Sequence, residues 1–172
     1  IYYYSGNFSK ALEYLKNVLE INSKNNNLHG KAANLQTIGI IYSEMGDLDN
    51  STANLQAALQ LKNSLQDSLD LASLYRYLGY VKVQKGEKND GVNLLNKSLY
   101  IARKHHLLSD IKDAYQSLSK SYSRIGDYKK ALEINREVVE LRKVVLGEKN
   151  HDYIDSLADL AKTYSDNGDY IK

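Results

Sequence analysis

A glycine followed by a small polar or acidic residue returns along this chain at a nearly fixed interval. Gly6-Asn7, Gly46-Asp47, Gly86-Glu87 and Gly126-Asp127 are 40 residues apart, and Gly168-Asp169 follows after 42. Glycine reaches the positive φ that ends a helix, and the residue behind it can cap the next one. The stretch Ser121–Val139 gives the unit in full. Leu118, Tyr122 and Ile125 recur at helical spacing before the turn. Tyr128, Ala131, Leu132, Ile134 and Val138 do so after it. A period of this length predicts a stacked array of helix hairpins rather than a globule around one core.

The pattern predicts eight substantial helices: 8–23, 28–45, 48–64, 69–85, 87–105, 110–125, 128–146 and 153–167. A helix end at 1–4 and a helical stub from Asp169 flank them. SKNNN at 23–27 and Gly147–Asn150 read as loops, and Asp67-Ser68 as a cap for the fourth helix. Each hairpin is amphipathic and too small to bury its own stripe, so neighbours must supply the missing surface. No proline interrupts the chain, as suits an all-helical fold. The chain opens inside a repeat without Met and stops as a helix begins. It is therefore read as a fragment of a longer protein, whose cut ends fray or pair with another chain.

Charge is close to balanced, 23 basic against 21 acidic residues, which argues against a dedicated nucleic-acid surface. Cysteine is absent, so there is no disulfide framework and no thiolate metal site. No apolar run approaches the ~20 residues that span a bilayer, and there is no signal peptide. His105-His106 is a poor metal pair, because adjacent helical residues point about 100° apart. It reads as a surface pair near a helix C-terminus. His151 has Asp152 and Asp155 nearby but no nucleophile, and reads as a loop or capping residue. The N-x-Ser/Thr sequons at Asn7, Asn50 and Asn96 matter only on a glycosylating secretory route. No phosphate-binding glycine loop, metalloprotease helix or nucleophile elbow occurs. No cofactor is expected, and no catalysis.

In register, these repeats resemble the tetratricopeptide repeat, which places a large residue, Leu-Gly and Tyr in its first helix and Gly-Asp-Tyr at the turn. The second repeat has Leu35, Ile38-Gly39, Tyr42, Gly46-Asp47-Leu48, Leu55 and Ala58. The third has Tyr75, Leu78-Gly79, Gly86 and Leu95, with Lys82 where Tyr is usual. The fourth has Tyr115, Leu118-Ser119, Tyr122, Gly126-Asp127-Tyr128 and Ala131. The fifth has Leu157, Leu160-Ala161, Tyr164 and Gly168-Asp169-Tyr170; the first retains Tyr2, Gly6-Asn7-Phe8 and Ala11. The family unit is about 34 residues, so these longer units lengthen the helices. Residues 141–170 look most like the longer variety found in kinesin light chains and bacterial multidomain proteins. Leu146-Gly147 and His151 match it, Asp152 replaces its Pro, and Ala158-Asp159 replaces its paired Asn.

The resemblance implies an all-α, right-handed superhelical solenoid of stacked antiparallel helix hairpins. It would form a single array over 1–172, with repeats 28–67, 68–107 and 108–150 between partial repeats 1–27 and 151–172. Small residues at Gly39, Gly79, Ser119 and Ala161 would let paired helices approach. First helices would line a concave groove. Its positions are Gln36, Ile40 and Ser43; Arg76, Tyr77, Tyr80 and Gln84; Asp113, Gln116, Ser117, Lys120 and Arg124; and Asp155, Asp159, Lys162 and Asp166. The middle of this groove is aromatic and basic, and could hold an extended or helical peptide carrying a carboxylate; the same residues could instead be ordinary solvated helix positions. The implied function is a protein- or peptide-binding scaffold. The alternatives are a regulatory segment of a signalling enzyme, such as a histidine kinase or caspase-like protease, and a receptor for signalling peptides.

Overall fold

The left-handed glycines do what the sequence pattern asks of them. In the computed structural model, which describes residues 8–65 and 70–168, Gly46, Gly86, Gly126 and Gly168 have φ of 79°, 88°, 88° and 77°. The amide after the glycine reaches back to the last helical turn. Asp47 donates to the Tyr42 carbonyl, Glu87 to Lys82 and Asp127 to Tyr122, each at 2.9 Å. Asp47 and Asp127 then accept from the amides of Asn50 and Lys130, at 3.1 and 3.2 Å, and cap the helix that follows.

The same closure occurs where the sequence shows no glycine. Asn26 and His106 have φ of 53° and 55°. The next amides, Asn27 and Leu107, donate to the carbonyls of Asn22 and Ala102. Each lies 20 residues before a turn glycine, Gly46 and Gly126, so a left-handed residue punctuates both ends of a hairpin. The eight helices among the described residues follow: α1 (Phe8–Lys24), α2 (Leu28–Glu44), α3 (Leu48–Ser64), α4 (Leu71–Gln84), α5 (Lys88–Lys104), α6 (Leu108–Ile125), α7 (Tyr128–Leu146) and α8 (His151–Asp166). The fold is all-helical and built from tetratricopeptide-like hairpins.

Three expectations need correction at the helix starts. α4 begins behind Asp70, at φ 60° and with no side-chain cap. α6 begins behind Leu107, so Ser109 and Asp110 lie inside its first turn. α8 is capped by Asn150 and not by His151, which is its first residue. The expected turn at Gly6, the cap at Asp67-Ser68, and Asp169-Tyr170 lie outside the described residues.

The chain divides into two units, Ile1–Ile101 and Ala102–Lys172. In the first, α2 packs against α1 and α3, and α4 against α3. Leu35, Leu55, Ala58, Leu74, Leu78 and Val81 form the core, and Ala11, Leu12, Ile38 and Ile41 form a second cluster toward α1. Two helix crossings require small residues. A Cβ at Gly39 would stand 2.7 Å from Leu55, and one at Gly79 the same distance from the Gly91 carbonyl. Across the first crossing the Ser51 hydroxyl donates to the Gly39 carbonyl at 2.7 Å. Ser51, Gly91 and Ala131 are all buried and all stand five residues behind a turn glycine.

In the second unit α7 packs between α6 and α8. Ala114, Tyr115, Leu118, Ala131, Leu132 and Val139 are buried there. The α7–α8 seam is largely polar. Asn135 donates to the Thr163 hydroxyl at 2.7 Å, and Arg142 to the Asp152 carbonyl at 2.7 Å. Ser156 and Thr163 are the buried residues of α8. Leu157 and Ala161, the expected packing positions, are exposed. α8 turns its hydroxyl face to α7 and leaves that apolar face uncovered, so Ala161 does not mediate a close helix approach among the described residues.

Candidate functional site

The expected groove residues fall on the first helix of each hairpin. In the first unit, Gln36, Ile40 and Ser43 are half-buried on α2, and Arg76, Tyr77, Tyr80 and Gln84 are half-buried on α4. The two helices meet, and the Gln36 amide donates to the Ser73 hydroxyl at 2.5 Å. The Arg76 guanidinium lies 4.1 Å from the centre of the Tyr77 ring, at cation–π distance. That contact holds a long cationic side chain in one orientation. Lys82, on the same helix, is held by Glu87 and by Asp90 at 3.8 Å, so its charge is directed to the hairpin turn.

The second unit presents a looser set. On α6, Asp113 and Gln116 are half-buried, Ser117 is buried, and Lys120 and Arg124 are exposed. On α8, Asp155, Asp159, Lys162 and Asp166 are exposed. Gln116, Lys120 and Arg124 make no hydrogen bond or ion pair with Asp159 or Lys162 among the described residues. The structure therefore brings together Gln36, Ile40, Arg76, Tyr77, Tyr80 and Gln84 on two packed helices, and does not join the α6 and α8 positions.

A second feature had no signal in the repeat pattern. The end of α5, the first half of α6 and the last half of α7 enclose a cleft of ≈820 Å³. Its walls are aliphatic: Leu108 and Ile111 from α6, and Leu141, Val144, Val145 and Leu146 from α7. A polar cluster closes it on one side. Arg103 donates to the Tyr115 hydroxyl and to the Glu137 carboxylate (2.7 Å), and Tyr115 donates to the same Glu137 oxygen at 2.5 Å. Burial, then the Glu137 carboxylate, push Tyr115 up to about 12 against the opposing pull of Arg103. The phenol stays protonated and remains a donor. Lys112, paired with Asp152 at 3.0 Å, also lines the cleft. Tyr115 was read as a repeat packing position, which it is; its hydroxyl also ties α5 and α7 to α6. The clue available in the sequence was the run Val144-Val145-Leu146, apolar beyond the stripe that α7 needs for its own packing.

His105 and His106 are both exposed, and His106 takes the left-handed turn behind α5. Among the described residues no group of His, Cys, Asp and Glu is placed to hold a metal, and no helix is long and apolar enough to cross a membrane.

Models of the tetratricopeptide repeat match residues 32–65 and 113–152. No curated protein matches the sequence. Solved structures share the fold. A protein of Podosopora anserina described as a kinesin light chain with nearly identical TPR-like repeats superposes with a TM-score of 0.82 at 20% identity. The match covers 97% of this chain and 82% of that one. BtubC (BKLC) from P. vanneervenii gives 0.71 at 13% identity, over 92% of this chain and 66% of that one. MamA gives 0.61 at 20% identity, over 98% and 78%.

Proposed function

We propose that this chain of tetratricopeptide repeats, similar in fold to kinesin-light-chain-like arrays, is a scaffold that binds a peptide segment of a partner protein and performs no catalysis of its own. Repeats of this kind generally serve protein binding, and the fold is a non-catalytic one. The binding face is the first-helix surface of α2 and α4. The segment it takes is extended or helical and carries a carboxylate. The observation that carries this reading is the half-buried Arg76 stacked on Tyr77, with Tyr80 one turn further along α4. Tyr and Arg dominate binding energies where they are found at interfaces. An arginine already fixed on an aromatic ring loses little freedom on meeting a carboxylate.

Gln116, Lys120 and Arg124 on α6, with Asp159 and Lys162 on α8, are proposed as a further contact surface of the second unit. The repeat limits 28–67, 68–107 and 108–150 belong to the same proposal.

A peptide array followed by calorimetry tests it. The intact chain should select peptides with acidic residues over their amidated or Lys-substituted counterparts. Arg76→Glu and Tyr80→Ala should each weaken the best peptide at least tenfold, about 1.4 kcal/mol. Wild-type affinity in both variants, or no selection on the array, removes the reading.

A further inference from the structure

The cleft of the second unit shares no residue with the first-helix positions: α6 gives it Leu108, Ile111, Lys112 and Tyr115, and keeps Gln116, Lys120 and Arg124 out of it. Its exposed aliphatic groups are large and adjacent. Val144 is 82% exposed, Leu108 79% and Val145 67%. Contiguous apolar surface of this kind marks contact sites. Two polar cross-links hold the walls apart: Arg103–Tyr115–Glu137 ties α5, α6 and α7, and Lys112–Asp152 ties α6 to α8. The cleft is thus formed before anything enters it, which lowers the cost of binding.

Shape and charge together choose the occupant. Two antiparallel helices, α6 and α7, form the walls. From Glu137 to Leu146 the α7 wall runs about 14 Å, between two and three helical turns. On α7, Val138, Leu141 and Val145 follow one another at i, i+3 and i+7, the spacing that receives an amphipathic helix laid into a groove. The three lining cations are already engaged. Arg103 meets Glu137, Lys112 meets the Asp152 carboxylate, and Arg142 meets the Asp152 carbonyl. Of the three lining carboxylates, Glu137 and Asp152 are engaged in turn, while Glu140 has no ion pair among the described residues. One unmatched negative charge beside an apolar floor asks for one positive charge beside an apolar stripe.

We infer that the α6–α7 cleft is a second docking site, which takes an amphipathic helix of a partner protein with an uncharged aliphatic stripe and a basic residue next to it, facing Glu140. This site is independent of the α2–α4 face.

The probe is a fluorescein-labelled helical peptide of about 14 residues, the length that fills the cleft, with Leu at i, i+3, i+4 and i+7 and one flanking Lys. Its partner probe carries Glu in place of that Lys. Anisotropy titration of the full chain should show the Lys peptide binding at least tenfold more tightly. Glu140→Lys should invert that preference. Val145→Asp and Val144→Asp should each weaken the Lys peptide tenfold or more while circular dichroism and the melting temperature stay at wild-type values, since both positions face solvent. Arg76→Glu should leave this binding unchanged. Equal affinity for both peptides, no inversion by Glu140→Lys, or loss of binding in Arg76→Glu overturns the inference. So does sedimentation showing a dimer that Val145→Asp converts to monomer, because the occupant is then a second copy of the chain.

Discussion

At the scale of single residues, this chain is set by which positions tolerate left-handed backbone. Gly126 has φ 88°, and a Cβ there would meet nothing within 4 Å. Substitution therefore costs backbone strain and not a clash. Gly126→Val should destabilise the fold by about 1–2 kcal/mol, the scale of left-handed strain for an L-residue, and more than Gly126→Ala because of its β-branch. Denaturant unfolding measures the difference; unchanged midpoints would mean the turn glycine is dispensable. His106 supplies the reciprocal case. It occupies φ 55° with a side chain that carries that strain already. His106→Gly should stabilise by up to about 1 kcal/mol, the relieved strain being offset in part by the extra freedom of glycine in the unfolded chain. A lower midpoint in this variant would show that the imidazole contributes more than its backbone conformation suggests. Gly79 obeys a different rule, since its constraint is the 2.7 Å approach of the Gly91 carbonyl and not its φ.

Helix by helix, the periodic apolar positions made most of the boundaries legible, and the glycine turns fixed the register in which Leu35, Leu78 and Leu118 are all buried. The left-handed Asn26 was readable in principle, because Asn is enriched there, whereas His106 carries a weaker signal. Apolar periodicity says which face of a helix is apolar, but not whether a neighbour covers it. Leu157 and Ala161 fit the repeat and lie exposed, while α8 docks through Ser156 and Thr163. The cleft was illegible for the same reason: it is formed by what α6 and α7 leave uncovered. The α2–α4 face was legible as a set of positions, but the stacking of Arg76 on Tyr77 is tertiary geometry. Capping, in contrast, is local, and it yields a pH prediction. The Lys130 amide and then its ammonium hold Asp127 below the usual carboxylate range. A depressed folded value means that this cap stabilises α7 fully above about pH 4, the ordinary unfolded value, and that the contribution goes as pH falls through the lower folded value. Asn caps equally well without titrating. The melting temperature of Asp127→Asn should therefore sit at or just below wild type at pH 7, and the difference should shift in the variant's favour below about pH 4. A difference that stays constant with pH would show that the cap does not titrate in this range.

For the molecule as a whole, α5 is the element on which the most depends. Its first part belongs to one unit and its last turn to the other. In the first unit Gly91 and Leu95 meet Gly79, and Ser98 donates to the Ala72 carbonyl at 2.7 Å. In the second, Arg103 supplies the cation of the Tyr115–Glu137 cluster. Repeat arrays add their stability from each unit and from what adjoining elements share, so a break in a shared helix reaches further than one in a helix owned by a single unit. Tyr100, 66% exposed and one residue before the division, separates the helix from the packing around it. Tyr100→Ala should change stability by no more than about 0.5 kcal/mol, as surface substitutions usually do. Tyr100→Pro removes an internal hydrogen bond and clashes with the preceding turn, at a cost of about 3 kcal/mol or more. Hydrogen exchange then separates a local from a shared effect. With proline at position 100, protection should fall in both α4 and α6, whereas Gly126→Val should lower it first in α6 and α7. Loss confined to one side of residue 100 would mean that α5 does not serve both units.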